Sequence, residues 1–225
     1  MPVAAIVGAG PGMGLAIARQ FAGNGYSIAL LARRAEPLDA LVDTLTAEGH
    51  RAEAFIADVL DRPSVTAALS SVEERLGPID VLEYSPSSTG SGGVPPQDVT
   101  VETAQQQLEF YVHGAITAIQ HVLPAMLDRG EGTIIVTTGA SSVYPNSTFG
   151  SVALAAAALR NWALSLHAAV GERGVQVAHI AINAWLGNQP GAEPELVAPL
   201  YWRLHTEREL AELVFAPAAS PGAVS

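Results

Sequence analysis

The chain has 225 residues, 49% of them hydrophobic and 15% charged, which supplies ample apolar material for a buried sheet. A formal charge of −11 opposes binding to nucleic acid or to an anionic membrane surface. The absence of cysteine excludes disulfides, thiol catalysis and Cys-based zinc sites. No run has the length of a transmembrane helix, and residues 1–10 lack the features of a signal peptide, so a cytoplasmic protein is expected. All 11 residues in the Lys+Arg count are arginines.

Val3–Val7 reads as a first strand, and Leu15–Phe21 as a helix following a glycine-rich turn. Tyr26–Ala32 is a second strand, Glu36–Glu48 a helix, Arg51–Ala57 a third strand, Arg62–Arg75 a helix and Ile79–Glu83 a fourth strand. This alternation argues for parallel βαβ units. Ser85–Asp98, rich in Ser, Gly and Pro, is a loop over the strand ends, flexible at Ser87–Gly93. One long helix is predicted over Val101–Arg129, then a strand over Gly132–Thr138, an alanine-rich helix over Ser151–Glu172 and a strand over Val175–Ile182. Glu195–His205 is a further helix and Leu210–Phe215 a last strand. The expectation is an α/β chain: a Rossmann-type doubly wound domain over residues 1–216, a seven-stranded, mostly parallel sheet with helices on both faces, and a flexible tail at 217–225.

Between the first strand and helix stands Val7-Gly8-Ala9-Gly10-Pro11-Gly12-Met13-Gly14. Gly8 permits the sharp turn, Gly12 lets backbone N–H groups approach a pyrophosphate, and Gly14 lets helix and sheet pack closely. The spacing Gly-x-x-x-Gly-x-Gly resembles the nucleotide fingerprint of the short-chain dehydrogenase/reductase family; Met13 stands where the commoner dinucleotide motif has its third glycine. The second strand ends Leu31-Ala32-Arg33-Arg34. An acid there would bind both ribose hydroxyls and repel a 2′-phosphate, whereas arginine grips one in a bidentate fork, so NADP(H) is the expected cofactor. Asp58-Val59 resembles the family's Asp-Val pair beside the adenine.

The resemblance extends from Val3 to about Phe215, but the catalytic positions depart from it. The family's chemistry rests on Tyr-x-x-x-Lys, and the aligned stretch is Phe149-Gly150-Ser151-Val152-Ala153. Tyr84-Ser85-Pro86-Ser87 replaces its Asn-Asn-Ala-Gly, Tyr111 its helical asparagine, Gly139 its serine and Ile182-Asn183 its Pro-Gly. The tyrosine is the general acid and the lysine lowers its pKa; Phe149 has no proton to give and Ala153 no charge.

Tyr84, Tyr111, His113, Thr138, Ser141, Ser142, Tyr144, Asn146, Asn183 and Trp185 are expected around the mouth of the site. The substitute catalytic candidates are Tyr144 as the acid with Ser141 beside it, and Tyr111 or His113, the last able to act near neutral pH. His121, His167 and His179 show no metal spacing and read as structural, and no metal is expected. Three functions fit: a reductase of a small imine, activated alkene or carbonyl with a non-standard proton donor; a non-redox cyclase, isomerase or lyase; or an inactive NADP(H)-binding partner protein. The expected partners are a small-molecule substrate and a second copy of the chain, as a homodimer or homotetramer through the two long helices.

Overall fold

Seven strands lie in one sheet: β1 (Val3–Val7), β2 (Ser27–Ala32), β3 (Ala52–Ile56), β4 (Ile79–Tyr84), β5 (Gly132–Gly139), β6 (Val175–Ile182) and β7 (Glu212–Phe215). Their order is β3-β2-β1-β4-β5-β6-β7, and every neighbouring pair is parallel. The computed structural model describes residues 1–87 and 93–217. Positions 88–92 of the Ser/Gly run and 218–225 of the tail, where flexibility is expected, lie outside the described residues.

Parallel sheets are covered on both faces, so their strands are apolar throughout rather than alternating. All five residues of β1 and all eight of β6 are buried. Helices α1 (Met13–Ala22), α2 (Ala35–Ala47) and α7 (Pro194–Thr206) cover one face through Phe21, Leu41 and Leu204. On the other, α3 (Arg62–Leu76), α5 (Gly114–Arg129) and α6 (Gly150–Val170) bury Leu69, Ile119 and Leu159. A short α4 (Val101–Gln107) begins in a capping box, with Thr100 and Thr103 each accepting from the other's backbone N–H.

The segment predicted as one helix over Val101–Arg129 is α4 and α5 joined by a π-helical turn, Leu108–His113. Its cause is Tyr84, which lies at 0% exposure beneath the turn. The Tyr84 hydroxyl donates to the Phe110 carbonyl at 3.0 Å. A methyl on Gly114 would run into that hydroxyl, so glycine is what lets the tyrosine fit. Tyr84 is therefore part of the core rather than of the mouth. Elsewhere the predicted elements recur with ends shifted by one or two residues.

The strand order reverses at β1, whose neighbours β2 and β4 lead to opposite edges. Ligands of open α/β sheets bind at such a switch point, outside the carboxyl ends of the strands. Gly8 and Ser85-Pro86 follow the two strands that flank it.

Candidate functional site

The glycine loop closes tightly at both ends and stays open in its middle. Gly8 has φ +94°, and a Cβ there would stand 2.5 Å from both the N and Cα of Pro86. Gly14 packs on the backbone after β1, where a Cβ would meet Ala9 Cα at 2.9 Å. Gly10 and Gly12 face open space. No side chain caps α1 at Gly12, and its first turn holds no acid, so its positive end remains for a ligand.

A cleft of about 230 Å³ opens over this loop. Gly8 to Pro11 form its floor, Arg33 and Arg34 one lip, Ala57 and Val59 an apolar wall, and Pro86, Ser87 and Phe110 the side toward β4. Both arginines are exposed, and no ion pair among the described residues involves either. Met13 is half-buried against the core below. The Asp58 carboxylate accepts from the Leu60 N–H at 3.0 Å and so shapes the turn that presents Val59. A dinucleotide fits these features: a glycine floor for the pyrophosphate, an apolar wall for the adenine and two free guanidinium groups beyond β2.

The remaining candidates lie on the turn after β5 and on the π turn. Gly139 is exposed, and a Cβ on it would lie 4.0 Å from the Ser141 Oγ. The Ser141 hydroxyl thus stands beside the space that a serine at 139 would fill. Tyr144 follows the short 3-10 turn Ala140–Ser142 and is 52% exposed. Asn146 is taken up locally, its Oδ1 accepting from the N–H groups of Thr148 and Phe149 ahead of α6. Phe149 immediately precedes that helix, edge-to-face with the exposed Trp185 at 6.4 Å. Ala153 sits in the first turn of α6.

Tyr111 lies in the π turn, half-buried and edge-to-face with Phe110 at 5.0 Å; burial raises its pKa. His113 ends the same turn but pairs with Glu109 at 2.9 Å, while Arg62 of α3 reaches that carboxylate at 3.1 Å. These partners, His113 first, hold the Glu109 carboxyl down at about 2. The four substitute candidates come from two segments: Ser141 and Tyr144 from the end of β5, and Tyr111 and His113 from the π turn.

Two buried polar clusters were not foreseen from the sequence. On the α7 face, Glu83 of β4 is 0% exposed; its Oε1 accepts from Thr137 and its Oε2 from Ser85, both at 2.8 Å. The Tyr201 hydroxyl joins Thr137 at 3.0 Å. Burial pushes the Glu83 carboxyl up to about 7, against the pull of its two hydrogen bonds. On the opposite face, Thr138 bonds His179, which bonds Glu212. A polar residue inside a predicted central strand was the available signal for both. Among the described residues, no group of three or more His, Cys, Asp or Glu is placed to hold a metal, and no helix is long and apolar enough to cross a membrane.

Residues 2–185 match the model of the short chain dehydrogenase family. The chain belongs to that family. This short chain dehydrogenase is 32% identical over 177 residues to oxidoreductase UcpA of Escherichia coli (strain K12), covering 77% of its own length and 65% of the relative's. It spans about three fifths of the length of the curated relatives it matches. Among solved structures, it superposes on L-sorbose reductase from Gluconobacter frateurii, complexed with NADPH and L-sorbose, with TM-score 0.85, 25% identity, and 99% and 97% of the two chains covered. A short chain oxidoreductase from Pseudomonas aeruginosa PAO1, NADPH-bound and described as containing an atypical catalytic center, superposes with TM-score 0.86 and 22% identity over 99% and 98% of the chains, a likeness of fold.

Proposed function

We propose that this short chain dehydrogenase binds NADP(H) and reduces a small organic substrate, an imine, activated alkene or carbonyl, without a Tyr-x-x-x-Lys pair. The observation that carries the reading is the cleft itself, whose glycine floor ends at two arginines free of ion pairs. The likeness to an NADPH-complexed reductase supports it. Gly8, Gly12, Met13 and Gly14 hold the pyrophosphate, Arg33 and Arg34 the 2′-phosphate, and Asp58 and Val59 the adenine end. The bound nicotinamide supplies the electrons and the carbon-bound hydrogen; the protein supplies orientation and the proton. Ser141, whose hydroxyl stands beside the empty space at Gly139, polarises the substrate, and Tyr144 is the proton donor at the mouth.

Replacing Arg33 by Asp tests the cofactor assignment. The loss of one charge-assisted contact costs about 1.5–3 kcal/mol, roughly ten- to a hundred-fold in affinity. NADPH binding should fall by that factor while NADH binding holds, and equal loss for both would reject the assignment. A second reading, an NADP(H)-binding protein without turnover, is favoured by Phe149, which fills the tyrosine position with no proton to give. Oxidation of NADPH over a panel of ketones, imines and enones separates the two.

A further inference from the structure

Five side chains from five segments form an unbroken hydrogen-bonded file beneath the end of β5. Ser142 Oγ lies 2.8 Å from Thr138 Oγ1, and Thr138 Oγ1 lies 2.8 Å from His179 Nε2. His179 Nδ1 lies 2.9 Å from Glu212 Oε1. Arg160 of α6 grips the same carboxylate, its Nε at 2.5 Å and its Nη2 at 2.7 Å. Ser142, Thr138 and His179 are buried, whereas Glu212 and Arg160 reach solvent. The file thus links water at the α6 edge to the turn that follows Gly139.

Its proton polarity follows from its charged end. The Arg160 guanidinium, first, and the His179 ring hold the Glu212 carboxyl below its usual range, so Glu212 is an anion that can only accept. His179 therefore donates from Nδ1, which leaves Nε2 as an acceptor in the neutral ring. Thr138 has one hydrogen and gives it to that nitrogen, so its lone pairs face the Ser142 hydroxyl. The Thr138 proton points inward, toward the imidazole, while Ser142 donates to the Gly139 carbonyl at 3.0 Å and has only to rotate its hydroxyl to donate to Thr138 Oγ1 at 2.8 Å. Glu212 of β7 and Arg160 of α6 are the charged groups acting on the ring; β5 and the turn contribute hydroxyls and the Gly139 carbonyl. Burial, the largest influence, keeps the ring neutral to lower pH than a free histidine.

We propose that Ser142, Thr138 and His179 form the proton relay of this site, behind Tyr144, with His179 the positioning residue that stores the proton and Ser142 the outermost hydroxyl of the buried file. The proposal rests on the NADP(H)-dependent oxidoreductase reading. In the oxidising direction the carbinol hydrogen, with its electron pair, would go to bound NADP+. The proton of the substrate hydroxyl passes to Tyr144, the group at the mouth, as Tyr144 gives its own through one water to Ser142 Oγ; Ser142 gives its own to Thr138, and Thr138 gives its own to His179 Nε2. One substrate O–H bond is lost, one N–H bond is gained, and the cation rests against Glu212. Reduction is the reverse. Oxidation should therefore fail as pH drops through the His179 pKa, and reduction should slow as pH rises through it.

The test uses the full chain with NADP(H) and the alcohol–carbonyl pair it turns over. His179→Gln should lower turnover at least roughly tenfold, within the range of general acid–base catalysis. It should also flatten the pH profile and leave NADPH affinity within about twofold. Thr138→Val should do the same, and Thr138→Ser should restore both rate and pH profile. Nitrogen-15 spectra of the histidine rings, with and without NADPH, should show His179 as the neutral Nδ1–H tautomer at pH 7. A cationic ring, or the Nε2–H tautomer, at that pH overturns the relay whatever the kinetics. Turnover with an unchanged pH profile in His179→Gln also overturns it and leaves the oxidoreductase reading standing. Absence of turnover by the unaltered protein overturns both.

Discussion

Replacing Glu83 by glutamine should abolish a decline in stability that the carboxyl imposes on the fold as pH rises. In the folded chain burial raises Glu83 from 4.5 to about 7, so the folded state holds this proton more tightly than the unfolded one. The stability gained from that proton is complete below the unfolded value, is lost as pH climbs toward the folded one, and levels off above it. At about 1.36 kcal/mol per pH unit the loss amounts to about 3 kcal/mol, a sizeable fraction of the roughly 5–15 kcal/mol typical of a native fold. Glutamine cannot ionise. Its carbonyl can still accept from Thr137, and its amide can donate to the Ser85 hydroxyl. At acid pH the variant should match the native chain to within about 1 kcal/mol, one net hydrogen bond. At about pH 8 it should be more stable by about 3 kcal/mol, or roughly 6–12 °C in Tm for a chain of this size. Urea unfolding of both proteins, followed by tryptophan fluorescence at several pH values, measures this, and their difference cancels every other titrating group. A difference that stays flat with pH would show that Glu83 titrates in the ordinary carboxylate range, and the argument from burial would be wrong.

Gly8→Ala places a Cβ against the Pro86 backbone at a φ of +94°; stability and NADPH affinity should fall together, as thermal melts with and without cofactor would show, and unimpaired binding would contradict the close-approach role. Tyr144→Phe should reduce turnover roughly a hundred-fold or more while leaving NADPH affinity intact; unchanged turnover would remove Tyr144 as donor. The long helices α5 and α6 should pair two or four copies of the chain, which a solution mass at micromolar concentration would register as a dimer or tetramer; a monomer alone would refute it.

The sequence was most legible where the signal is local. Strand and helix alternate by composition over stretches of five to twenty residues, and the glycine loop and Arg33-Arg34 are contiguous. The π turn was hidden because it changes no composition: Val101–Arg129 reads as helical throughout, and the disturbance comes from Tyr84, on another strand. The relay was hidden for a similar reason. Ser142, Thr138, Arg160, His179 and Glu212 share no spacing, since β5, β6 and β7 become neighbours only in the folded sheet. His121, His167 and His179 look alike in sequence, yet His179 alone among them meets a hydroxyl on one ring nitrogen and a carboxylate on the other. Glu83 was visible as a charge inside an apolar run, and its meaning depended on which side chains lay across the strand.

Thr137 and Thr138 are adjacent on β5, and because side chains alternate along a strand they serve opposite faces of the sheet. One hydroxyl belongs to the Glu83 cluster and the other to the His179 file. The two titrating groups work against each other. Ionising Glu83 weakens the fold as pH rises from 4.5 toward about 7, while charging His179 weakens it as pH falls from 6.5. Over the interval where both change, the slopes oppose. In the intact protein each slope therefore partly masks the other, and removing one group at a time, Glu83 or His179, lets the other emerge.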